Sequence, residues 1–150
     1  MEHFDPLSQP FWLTVGISVI CGAIIGLERQ IRGKAAGVRT SILICMSTAV
    51  FIHLGAGATS GVADPTRVLG QVVTGVGFLG AGVILTREGA VSGVTTAAVI
   101  WVLAATGAAI GLGNYLGAVV LAVVTVAVLT GVEFLESSVR WLTRGAYRRE

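Results

Sequence analysis

Five long apolar stretches, at 11–27, 40–57, 68–85, 94–112 and 115–135, dominate this 150-residue chain and leave little room for a water-soluble fold. Each has the length that crosses the hydrocarbon core of a bilayer, about 17 to 25 residues. Charged residues make up only 12% of the chain and hydrophobic residues 54%, against about 25% charged in soluble domains. The predicted fold class is therefore all-α. One domain over 1–150 forms a polytopic membrane helix bundle of five transmembrane helices, with a short cytoplasmic interfacial tail helix over 136–150. Only Gly113 and Asn114 separate the last two stretches, and both residue types tolerate the positive φ of a tight helix reversal. Glu2 and Asp5 precede the first stretch where a signal peptide would carry basic residues, so Phe11 onward is expected to stay in the mature protein.

The charges test the number of crossings. Arg29, Arg32, Lys34 and Arg39 lie in the first loop, Arg87 in the third, and Arg140, Arg144, Arg148 and Arg149 in the tail. An odd number of spans puts these nine of the ten Lys and Arg residues on one side and only Arg67 on the other. Basic loops mark the cytoplasmic face, which predicts a plasma-membrane protein with its N-terminus outside and its C-terminus inside. Phe11, Trp12, Tyr115, Trp141 and Tyr147 fall near span ends, as aromatic belts do. Cys21 and Cys45 sit inside apolar runs and read as small buried filling rather than as a disulfide framework or a metal-ligand pair.

The run from Asp64 to Ala97 holds a formal GxGxxG at Gly75, Gly77 and Gly80. A dinucleotide site needs a preceding strand and a turn at those glycines. Here they lie inside an apolar span, so no nucleotide cofactor is expected. In lipid, small residues mark where helices approach closely. At 100° per residue Gly70 and Gly77 share one face of the third helix, while Gly75 and Gly82 share another, and two such grooves predict a central helix flanked on both sides. Gly22 with Gly26 and Gly107 with Gly111 are further small-residue pairs, suited either to neighbours within the bundle or to a seam between copies.

Few polar groups interrupt the spans. Asp64 and Pro65 suit the start of a helix, whereas Arg67 in its first turn opposes the helix dipole. Gln71 and Thr74 continue a polar line inward, so this end of the third helix is read as either a cap or an outward-facing vestibule. Glu28 lies where the first helix leaves the bilayer. It reads as a surface partner of Arg32 at i,i+4 spacing, or as a functional carboxylate at membrane depth that contacts a cation or locks the bundle through Arg32 or Arg39. Thr95 and Thr96 are expected to serve the start of the fourth helix, with a cytoplasmic-side cavity as the alternative. His53 reads as a satisfied or snorkelling residue.

The segments GLERQIRGKAAGVRT, DPTRVLGQVVTGVGFLGAGVIL and SGVTTAA closely resemble, in the same order, the membrane domain of the MgtC/SapB family. The resemblance implies a bacterial inner-membrane protein of about five spans. In studied members the family is linked to growth under magnesium limitation and to virulence through survival in macrophages, and some members act on membrane partners, including inhibition of the proton-translocating ATP synthase. The charged motif positions it carries over are Glu28, Arg29, Arg39, Asp64 and Arg67, without a chemical role for each. Longer members add a C-terminal domain resembling ACT domains, for which this sequence shows no counterpart.

Two functions follow as expectations. The first is a non-catalytic regulator that packs against another membrane protein through small-residue faces. The second is an oligomeric channel or transporter for magnesium or another cation, with Asp64, Gln71, Thr74 and Glu28 beside a polar route. The expected partners are lipid, further copies of the chain or another membrane protein, with a cation in the second case and no nucleic acid in either. No HExxH, phosphate loop or nucleophile with a base points to an enzyme, and no residue is assigned as a metal ligand.

Overall fold

A computed structural model describes residues 5–57, 65–87 and 90–138, and these form five helices and one short hairpin. The helices are α1 (Gln9–Ile31), α2 (Val38–Gly57), α3 (Pro65–Val83), α4 (Val94–Gly111) and α5 (Tyr115–Ser138). Strands β1 (Leu85–Arg87) and β2 (Ala90–Ser92) pair antiparallel between α3 and α4, with Thr86 opposite Val91. The all-α bundle expected from the apolar stretches is the observed fold. Asp64 and the segment after Ser138 lie outside the described residues, so the cap at Asp64 and the tail helix are not placed.

Four helices, α1, α2, α4 and α5, are long and apolar enough to cross a membrane. The apolar part of α3, Arg67–Val83, is shorter. With Pro65 and Thr66 it makes 19 residues, about 28 Å at 1.5 Å per residue, close to the thickness of a hydrocarbon core. The apolar pattern predicts a third span that continues to Leu85. The helix instead stops at Val83, Ile84 closes back on the Ala81 carbonyl, and Leu85 enters β1. Strand pairing supplies Leu85–Arg87 with partners that the helix end would have left without any.

The reversal between α4 and α5 is the one the sequence predicts. Gly113 takes φ +81°, and the Asn114 side chain accepts a hydrogen bond of 3.0 Å from the Gly117 N–H to cap α5.

The centre of the bundle is α4, not α3, and this corrects the expectation built on the glycine ladder. In α4 61% of the spanning residues are buried, against 17% in α5. The sequence of α4 explains its position: Ala97, Ala104 and Ala108 interleave with Val99, Ile100, Leu103 and Ile110, so small and branched apolar residues make up a wide buried face. A Cβ on Gly107 would strike the Cys45 carbonyl, and one on Gly111 would lie 2.6 Å from the Ala49 carbonyl. Nearer the start of the same α2 face, a Cβ on Gly22 or Gly26 would lie 2.6 Å from the Cα of Ile42 or Val38. Both small-residue pairs are thus spent inside the chain, seating one face of α2 against α1 and, further along, against α4. Cys21 and Cys45 are free thiols buried in the same core as Ile25, Ala49, Leu103 and Ile110.

Helix α3 packs at the edge, against α4 and less closely against α2. A Cβ on Gly77 or Gly80 would meet the Trp101 ring of α4 at ordinary van der Waals distance, whereas one on Gly70, Gly75 or Gly82 would have nothing within 4 Å. The Gly75 and Gly82 face is open, and of the Gly70 and Gly77 face only Gly77 has a neighbour.

Candidate functional site

The last turn of α1 carries the charge of the bundle's basic end. Glu28 and Arg32 stand one turn apart on one face, and Arg29 points round toward α4. Arg29 is only 3% exposed, and its Nη2 donates a 2.8 Å hydrogen bond to Thr96 Oγ1 in the first turn of α4. Glu28 is 8% exposed and accepts from Arg32 Nε at 2.6 Å. The other side of the Arg32 guanidinium pairs with Glu133 near the end of α5. One turn of α1 thereby ties α4 and α5 together at the end where the first loop and the hairpin also lie.

Two buried atoms of this cluster have no hydrogen-bond partner: Glu28 Oε2 and Arg29 Nε. Both residues line a cavity of about 400 Å³, together with Lys34, Thr95, Thr96 and Glu133, and with Val94, Leu129 and Val132 as its apolar wall. Among the described residues no group of three or more His, Cys, Asp and Glu side chains is placed to hold a metal ion.

Glu28, Arg29 and the Glu28–Arg32 pair stand out in the sequence, whereas Thr96 there reads chiefly as a capping residue. The cap of α4 is Gly93, in the left-handed region at φ +89° and without a side-chain bond, and the Thr96 hydroxyl serves Arg29 instead. Glu133 is a member of this candidate site that sequence reasoning misses. Its signal is visible, since it is an acidic residue at the end of the fifth apolar stretch, on the same side as the basic first loop. Replacing Thr96 with valine keeps the shape and removes the acceptor. It is expected to lower stability by about 2 kcal/mol, the scale of a hydrogen bond to a charged group, as read from unfolding in detergent.

The remaining candidates lie elsewhere. Arg39 is exposed in the first turn of α2 and makes no part of the cluster. Arg67, Gln71 and Thr74 are exposed on α3, and the Thr74 hydroxyl bonds back to the Gly70 carbonyl. Gln71 and Gly75 line a second, open groove of about 450 Å³ between α2 and α3. Its α3 wall is Val68, Gln71, Val72, Gly75, Val76 and Leu79, and its α2 wall is Ile44, Ser47, Thr48 and Phe51. Both sets follow the i, i+3, i+4, i+7 spacing of a single helix face.

The fold and the span lengths define a multi-pass α-helical membrane protein. Residues 15–138 match the MgtC family, and the chain belongs to it. It is 50% identical over 105 residues to a protein of Escherichia coli strain K12 named "Putative magnesium transporter YhiD", covering 65% of this chain and 48% of that one. It is 41% identical over 119 residues to Protein MgtC of Salmonella typhimurium strain LT2, covering 79% of this chain and 50% of that one. An uncharacterized protein of Haemophilus influenzae is 38% identical over 155 residues, covering 97% of this chain and 64% of its own length. The chain thus spans about half the length of the first two relatives and somewhat more of the third. No solved structure matches it.

Proposed function

We propose that this chain is a non-catalytic regulator of other membrane proteins in adaptation to magnesium limitation or host stress, and that it acts by taking a transmembrane helix of its target into the α2–α3 groove. It sits in the bacterial inner membrane with its N-terminus outside and its C-terminus in the cytoplasm, an orientation supported by the basic first loop. The observation that carries the reading is the groove itself. Gly75 and Ser47 form a low floor on which a foreign helix backbone can approach closely, and Gln71 offers hydrogen bonds that lipid tails cannot satisfy. The groove runs from Val68 to Leu79, about 16 Å or three helical turns, which matches one face of a crossing helix.

Gentle crosslinking in native membranes followed by purification tests this. The unaltered chain is expected to bring down a second membrane protein, and Gly75→Leu, which fills the groove, to reduce that recovery about tenfold for a lost interaction of ~1.4 kcal/mol. Recovery of the chain alone in both cases would count against regulation by docking.

The second reading, an oligomeric cation channel or transporter, draws on the exposed line Arg67, Gln71 and Thr74, which would line a path only if several copies brought their α3 helices together. Magnesium or proton flux into liposomes holding the purified chain would favour it, and absence of flux would remove it.

A further inference from the structure

We propose that the cavity at the basic end is a binding site for a phosphodiester monoanion that also carries hydroxyl donors, the chemistry of a glycerol-type phospholipid headgroup. The cavity lies among α1, α4 and α5, apart from the α2–α3 groove, and stands independently of docking there. Three observations converge.

The first is the pair of orphaned atoms. Arg29 Nε is a donor without an acceptor, and Glu28 Oε2 is an acceptor without a donor, on two side chains each more than nine-tenths buried in the cavity wall. A ligand that satisfies both must present an acceptor and a donor together. A simple anion satisfies only Arg29 Nε, and a bare cation only Glu28 Oε2.

The second is charge. Arg29, Lys34, Glu28 and Glu133 line the cavity, and Arg32, behind its lining, is shared between the two carboxylates. Among the described residues, these three positive and two negative groups, Arg32 included, leave one net positive charge, which a phosphodiester cancels. The start of α4 adds to this: Gly93, Val94, Thr95 and Thr96 line the cavity, and the first N–H groups of a helix have no intrahelical acceptor. Phosphate oxygens at Arg29 Nε and the α4 amides, with a glycerol hydroxyl donating to Glu28 Oε2, would use every orphaned group.

The third is the apolar part of the lining. Val94, Leu129 and Val132 line the cavity, and Val94 and Val132 are also about half exposed on the outer surface of the bundle. An apolar edge running from a charged pocket to the lipid-facing surface suits a headgroup whose acyl chains stay in the bilayer.

The test is lipid retention by the purified full chain in phosphatidylcholine nanodiscs containing a minor fraction of phosphatidylglycerol, read by native mass spectrometry. One phosphatidylglycerol per chain is expected, retained about tenfold better than phosphatidylcholine, the scale of one charge-assisted hydrogen bond. Arg29→Gln should bring retention to the phosphatidylcholine background. Lys34→Gln, at an exposed residue that leaves the bundle intact, should weaken it about fivefold, the equivalent of ~1 kcal/mol per basic residue at a membrane surface. Glu28→Gln should abolish the preference for phosphatidylglycerol over phosphatidic acid, which lacks the hydroxyls.

Arg39→Gln removes one exposed charge outside the cavity and should change nothing. Displacement of the lipid by soluble glycerophosphoglycerol, with the same sensitivity to Lys34→Gln, would keep the site and assign it to a free phosphate ester. Retention no better than that of phosphatidylcholine, or equal losses from Arg39→Gln and Lys34→Gln, would overturn the proposal.

Discussion

Gly107→Leu is expected to drive α4 away from α2 and lower the unfolding free energy by about 3 kcal/mol, the upper part of the range for overpacking a close-packed interior. The cause is specific. A side chain at this position meets the Cys45 backbone carbonyl and, at 2.8 Å, the Thr48 Cβ. A backbone carbonyl cannot rotate aside as a flexible side chain can, so the helices themselves must separate. The same change at Gly75, where nothing lies within 4 Å, is expected to stay within about 0.5 kcal/mol of the unaltered chain. Denaturation in a detergent titration compares the two. Similar losses at both positions would mean that the α2–α4 seam is not where the bundle is tightest.

Glu28→Ala is the second large effect. It removes the carboxylate that pairs with Arg32 and lies beside the buried guanidinium of Arg29, leaving two cations at the end of α1 with Glu133 as the one acidic partner among the described residues. Breaking a buried ion pair from one side costs about 3 to 5 kcal/mol. Arg32 keeps 26% of its side chain exposed, so the lower end, about 3 kcal/mol, applies. Glu133→Ala removes the other partner of Arg32, but the Glu133 side chain is 49% exposed, and a loss below about 1 kcal/mol is expected. The same titration ranks the two variants, and a Glu133→Ala loss as large as that of Glu28→Ala would show that α5, rather than α1, anchors the cluster.

The helices are legible in the sequence because each span announces itself by length and scarcity of charge, with the Gly113–Asn114 reversal marked by two residues that accept positive φ. The packing order is not. Gly70, Gly75, Gly77, Gly80 and Gly82 make α3 look like the helix with most neighbours, but a glycine permits close approach without requiring it. Three of these five positions face open space. The central helix, α4, advertises less because its alanines serve as small contact residues while Leu103 and Ile110 fill the gaps.

At the site, Glu28 and Arg32 can be paired from their spacing, since i,i+4 partners share a helix face. Arg29 to Thr96 and Arg32 to Glu133 join residues far apart in the chain. Only the packing of α1 against α4 and α5 brings them together. The hairpin is hidden for a different reason: Ile84 and Leu85 continue the apolar run of α3, and hydropathy does not distinguish a helix's last turn from a strand's first residue.

Position-specific crosslinking tests most directly the proposal that the α2–α3 groove receives a helix from another membrane protein. Leu79→Cys places a thiol on the groove wall, and Val124→Cys places one on the exposed surface of α5 as a control. A thiol-reactive crosslinker applied to native membranes is predicted to join Leu79→Cys, and not Val124→Cys, to a membrane protein other than this chain. Adducts between copies of the chain alone, or equal yields from the two positions, would contradict it.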